Sequence, residues 1–161
     1  MKKAILGCII ALVLVATITI PAMAETSDLT ASVTVTEFAS VTITDNGAAG
    51  LSFGNLEPGT VMQAETSSPS VTVTAAAENN VDMNITISGI DFSDGGTNSF
   101  GIGNAYWNDS NETGTATAMS TTAAGVAILA AGTSVDIYHW LSIPANQAAA
   151  SYTSTFTYSG N

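Results

Sequence analysis

The chain has 161 residues, with 13 Asp or Glu against 2 Lys or Arg, and a single Cys and a single His. Both lysines and Cys8 stand in the first 24 residues, so the remaining 161 − 24 = 137 carry a formal charge of −13 with no Lys, Arg or Cys. That excludes a disulfide framework and lysine-dependent isopeptide crosslinks. It also removes the electrostatic attraction on which binding to nucleic acid and anionic membranes depends.

In chain order, Lys2 and Lys3 precede an unbroken apolar run from Ala4 to Ile20, which Pro21-Ala22-Met23-Ala24 closes with a helix breaker and an A-x-A site. This predicts a secretory signal peptide over 1–24, cut between Ala24 and Glu25, and hence an extracellular or cell-surface protein with no membrane insertion after cleavage. Two other readings stand beside it. Leu6-Gly7-Cys8 has the form of a lipobox, although it precedes the apolar run it should follow. Lys3-Ala4 before that run resembles the leader of archaeal type IV pilins, whose apolar helix is kept after cutting.

From residue 29 onward period-two alternation dominates. Leu29, Ala31, Val33 and Val35 share one parity, and Thr30, Ser32, Thr34 and Thr36 the other, the mark of a half-buried strand. The parity breaks at Glu37 and resumes at Ala39, Val41 and Ile43, which predicts two strands with a joint near Glu37-Phe38. Asp45-Asn46-Gly47 is a turn signal, and Leu51 to Leu56 predicts a short strand closed by Pro58-Gly59. Strands follow at Val71–Thr74 and Val81–Ser88, the latter continuing through Ile90 and Phe92 to Asp94-Gly95-Gly96. Residues 97–125 predict long loops with short strands, and Val126–Ala131 is ambiguous between strand and helix. Val135–Ile143 and Tyr152–Tyr158 complete the set. Eight or nine strands with no long helical period predict an all-β chain, a single antiparallel β-sandwich over 38–161 preceded by an N-terminal strand over 25–37. No second apolar span or sorting motif follows, which predicts release or retention by other proteins.

Catalytic signatures are sparse. His139, the only histidine, shares the parity of Val135, Ile137 and Leu141, which predicts a buried or groove-lining ring with one hydrogen-bond partner. No G-x-S-x-G elbow points a serine at it. The acids are scattered through turns, so a carboxylate pair for glycoside hydrolysis has no visible cleft. The expectation is a non-enzymatic protein without a cofactor. Asp109 and Glu112, beside Asn108 and Asn111, are weak calcium candidates, because calcium takes hard oxygen ligands. Asn84, Asn108 and Asn111 head N-x-S/T sequons and are candidate glycan acceptors. Tyr138 and Trp140 lie on the parity opposite the core of their strand. They are candidates for contact with a glycan or a neighbouring subunit, or for packing beneath a loop.

"ETSDLTASVTVTEF", residues 25–38 of this exported all-β chain, resembles the N-terminal donor strand of TasA-type and archaeal bundling-pilus subunits. The resemblance implies a filament in which Leu29, Ala31, Val33 and Val35 of one subunit fill a groove in an identical neighbour. "LSFGNLEPGT" before "VTVT", and "LSIPANQAAASYTSTFTY" near the end, resemble WxL-type surface domains, with Trp140-Leu141-Ser142 in place of the family's Trp-x-Leu spacing. That likeness implies a monomeric module binding glycan or cell-wall polymer, the alternative to a filament subunit.

Overall fold

The structure, a computed structural model, describes residues 31–47 and 50–161. Ala22, Ala24, Glu25 and Leu29, and with them the expected cleavage site and the first donor position, lie outside the described residues. The β-structure belongs to a unit spanning Val35–Asn161, treated by itself below.

The unit is an antiparallel β-sandwich. Eleven strands occur among the described residues: β1 (Val41–Asp45), β2 (Gln63–Ala64), β3 (Val71–Ala75), β4 (Met83–Gly89), β5 (Phe92–Ser93), β6 (Ser99–Phe100), β7 (Ala105–Asn108), β8 (Thr117–Ala118), β9 (Ala124–Leu129), β10 (Ser134–Leu141) and β11 (Phe156–Gly160). One sheet runs β1-β3-β10-β7-β8, with β2 also on β10; a second runs β11-β4-β9; β5 and β6 form a small hairpin.

The inward parity of each long strand supplies the core. Val71, Val73 and Ala75 of β3 and Ile137, His139 and Leu141 of β10 come from the large sheet; Met83, Ile85 and Ile87 of β4 come from the small one. Successive side chains of a strand point to opposite faces, so each β-branched or long apolar residue at every second position adds about 1.5–3 kcal/mol of burial. Phe92 and Phe100 stack at 4.6 Å, and Phe156 and Tyr152 meet them edge-on at 6.1 and 5.2 Å, an aromatic cluster at one end of the core.

Two expectations need correction, and one ambiguity resolves. Leu51–Leu56 is not a strand. Gly50 and Gly54 adopt φ of 88° and 72°, which an extended run cannot continue through. The alternating Leu51 and Phe53 are real inward residues, held there by a side chain instead of a ladder: the buried carboxylate of Glu65 accepts from Ser52 N at 3.1 Å and from Ser67 N at 2.7 Å. Second, of the two strands expected before Asp45 the later one forms as β1, while Ala31–Ser40, which includes the described part of the earlier one, joins no strand ladder among the described residues and is exposed throughout. The ambiguous stretch Val126–Ala131 resolves in part as strand: β9 runs Ala124–Leu129, and Ala130 and Ala131 lie in the turn after it.

Candidate functional site

The two sheets meet closely at one end of their β1 and β11 edges. A Cβ on Gly160 would lie 2.9 Å from Val41 Cγ1 and 3.0 Å from Met83 Cε, so any larger residue would force those side chains to move. From that seam the two edges diverge. Between them opens a groove of about 1150 Å³, with Ile43 and Asp45 of β1 on one side and Phe156 and Tyr158 of β11 on the other. Leu51, Phe53 and Leu56 form an end wall, and Val71, Leu141, Phe92 and Phe100 contribute the apolar floor.

Backbone hydrogen bonding identifies what each edge offers. Asn84 and Asn161 exchange both of their backbone bonds, at 2.8 and 3.2 Å, in register with the β4–β11 pairing. Alternation along an antiparallel ladder therefore turns Thr157 and Ser159 toward β4, and turns the N–H and C=O of Phe156, Tyr158 and Gly160 the other way. On the large sheet, Ala76 N donates to Ser40 O at 3.0 Å and Asn46 N to Ser70 O at 3.1 Å. By the same alternation Val41, Ile43 and Asp45 present their backbone groups away from β3. Neither edge has a strand partner among the described residues. The groove is thus an apolar trough with two unpaired backbone rails, the geometry that accepts an added strand.

His139 sits beneath this site, 1% exposed, its Nε2 3.0 Å from Tyr158 Oη. Nδ1 has no partner among the described residues. An orphaned buried donor costs more than an orphaned acceptor, so we assign the tautomer in which Nε2–H donates to Tyr158 and Nδ1 is bare. Burial holds the imidazole pKa down to about 3. Burial first, and then the Asp45 charge, push the Tyr158 phenol above its ordinary range. Both are neutral near pH 7. The nearest serine interaction is with the backbone: Ser70 Oγ accepts from His139 N at 3.1 Å, leaving the ring uninvolved.

The other sequence candidates are dispersed. Trp140 is not the exposed aromatic its parity suggested; it is 3% exposed. β10 is interior to its sheet, and in register Trp140 is flanked by Ala64 on one side and Tyr106 on the other, with Tyr138 stacked at 6.4 Å. Half of the expected sugar platform is therefore covered. Asn108 Nδ2 donates to Ser110 Oγ, Glu112 O and Thr115 Oγ1 at 3.1, 3.0 and 2.8 Å, a set that a glycan on that nitrogen, leaving it one N–H, would disrupt. Asn84 and Asn111 are exposed. Asp109 and Glu112 are exposed, and the described residues contain no group of three or more His, Cys, Asp or Glu able to hold a metal.

Compared with protein-family models, curated proteins and solved structures, the chain matches none. Its function is therefore argued from the groove and the segment preceding it.

The sequence implies a groove only through its resemblance to strand-exchanging subunits, and does not say which strands flank it. The groove's lining residues alternate like any core residues, and what distinguishes them is a missing neighbour, which no periodicity records. The one available signal was a surplus: an alternating segment, 29–35, with more apolar faces than its own turns and strands require.

Proposed function

We propose that this chain is a structural, non-enzymatic subunit of an extracellular filament, exported by its leader and joined by strand exchange between identical copies. Residues 29–36 of one subunit lie in the groove of the next, where their backbone pairs with a free edge and Leu29, Ala31, Val33 and Val35 face the apolar floor. The observation that carries this reading is a single complementarity. The unit has an open apolar trough between two unpaired edges, and the described part of the alternating arm has no strand partner of its own.

Dimensions support it. From Leu29 to Val35 is six steps of ~3.3 Å, about 20 Å, the same six steps as the stretch Tyr152–Tyr158 that lines the groove. Burying one Leu and two Val contributes roughly 1.5–3 kcal/mol each, before the cost of ordering the arm. Charge opposes association, since every subunit adds thirteen carboxylates and no Lys or Arg beyond the leader. That repulsion is screened over ~8 Å at physiological salt, so assembly should be faster at higher ionic strength.

Electron microscopy of the secreted protein with and without residues 25–36 tests the proposal. Ordered filaments from the full chain and dispersed particles from the shortened one are expected. Filaments of unchanged form from the shortened chain would refute strand exchange.

A further inference from the structure

Exchange has a competitor in the same molecule. A tethered arm sees its own groove at an effective concentration in the mM range, whereas other subunits at working concentrations are in the ~μM range, an advantage of about a thousandfold for self-closure. A polymer forms only if geometry forbids that closure. We infer that Asn79 and Asn80 act as a clamp that sends the arm away from its own groove and so commits it to a second copy of the chain; this rests on the strand-exchange reading above.

The two amides grip the backbone immediately before β1. Phe38 N donates to Asn80 Oδ1 at 2.8 Å, and Asn80 Nδ2 donates to Thr36 O at 2.9 Å. Asn80 N donates to Phe38 O at 3.2 Å. Ser40 N donates to Asn79 Oδ1 at 2.8 Å, and Asn79 Nδ2 returns a bond to Ser40 O at 3.0 Å. An amide side chain carries the same donor and acceptor pair as a peptide group, so the clamp extends the β1–β3 ladder backward over residues 36–40 without another strand. Asn79 is 7% exposed, sheltering its half of the clamp from water.

Its position decides the direction. β1 begins at Val41, which touches Gly160 at the closed seam, and the groove opens only farther along, at Ile43 and Asp45. With residues 36–40 held in line with β1, the arm leaves at the closed end. To enter its own groove it would have to turn before Thr36 and retrace five residues, ~17 Å, before drawing level with Val41. Val35, Val33 and Ala31 would be used up on the way. Only Leu29 and the acidic Glu25-Thr26-Ser27-Asp28 would reach the trough, and carboxylates there would be desolvated without a cation. Released from Asn80, the chain could turn over residues 37–39, ahead of the bonds that Asn79 keeps on Ser40, and lay the arm along its own groove.

The test uses Asn80→Ala, an exposed position whose loss leaves the core intact, together with a labelled synthetic peptide of residues 25–36. Chains lacking residues 25–36 should bind the peptide. Asn80→Ala chains should polymerise about tenfold less or worse, the monomers refusing the peptide because their own arm fills the groove. Asn80→Ala chains that polymerise like the parent, or monomers that still take up peptide, would overturn the clamp while leaving strand exchange standing. Failure of the shortened chain to bind peptide would overturn exchange, and the clamp with it.

Discussion

Replacing Val33 and Val35 together by aspartate is expected to abolish assembly while leaving the folded unit untouched. In the isolated subunit these side chains are 87% and 76% exposed, so the change removes no intramolecular packing there. In a neighbour's groove each valine would surrender ~1.5–3 kcal/mol of burial, and each new carboxylate would lose hydration with no cation to meet it. The sum exceeds roughly 5 kcal/mol, a weakening of the subunit contact of more than about a thousandfold. Thr34→Asp and Thr36→Asp add the same charge on the opposite parity, where the side chains stay wet. Sedimentation should find the valine variant monomeric and the threonine variant still polymerising, more slowly at low salt. Equal losses in both would mean that charge alone, and not a buried parity, controls assembly.

The second large effect is on stability against acid. His139 is neutral in the folded unit because burial holds its pKa near 3, against 6.5 for a free imidazole. Between those values the unfolded chain binds a proton that the folded chain refuses. The stabilisation is therefore fully present above pH 6.5 and is lost as pH falls toward 3, at about 1.4 kcal/mol per pH unit. His139 is the only histidine, and most carboxylates titrate below about pH 4.5, so the interval from 6.5 to 5 reports one group. Urea unfolding of the monomeric Val33→Asp, Val35→Asp chain at pH 7, 6 and 5 should show stability falling by about 2 kcal/mol over the acid part of that range. In a His139→Gln background the amide still donates to Tyr158 and the slope should vanish. A parent chain flat from pH 7 to 5, or an undiminished slope in the glutamine variant, contradicts a buried neutral imidazole.

These results bear on what the sequence makes legible. Val71 and Val73, Met83, Ile85 and Ile87, and Ile137, His139 and Leu141 announce their strands because inward residues recur at every second position, although at the end of β10 the opposite face is covered too, at Trp140. The parity of His139 was enough to place it inside. For Trp140 parity alone leaves open contact with a partner or packing within the domain, because exposure depends on lateral neighbours. Whether a strand is interior or at an edge is set by sheet order, which joins β10 to segments 30 to 78 residues away. Leu51–Leu56 alternates too, but it is held at Ser52, whose N–H donates to the Glu65 carboxylate and whose C=O accepts from Thr66 N, a pairing that no local pattern encodes. Asn79-Asn80 reads as an ordinary polar connection for the same reason, its function appearing only when residues 36–40 lie beside it.

Strand exchange makes one demand that no other arrangement shares: the arm of one chain must touch the groove of another. Residues 25–161 contain no cysteine, so single cysteines introduced there can crosslink only with each other. The direct measurement mixes Val33→Cys chains with chains carrying one cysteine at Ile43 or Phe53 in the groove, or at Ile128 on the exposed β9 edge, under mild oxidation. Heterodimers are expected with the groove positions, suppressed by excess unlabelled 25–36 peptide, and not with Ile128. Crosslinking that ignores position, or a Val33→Cys, Ile43→Cys chain that closes only on itself, would contradict a filament joined by exchanged strands.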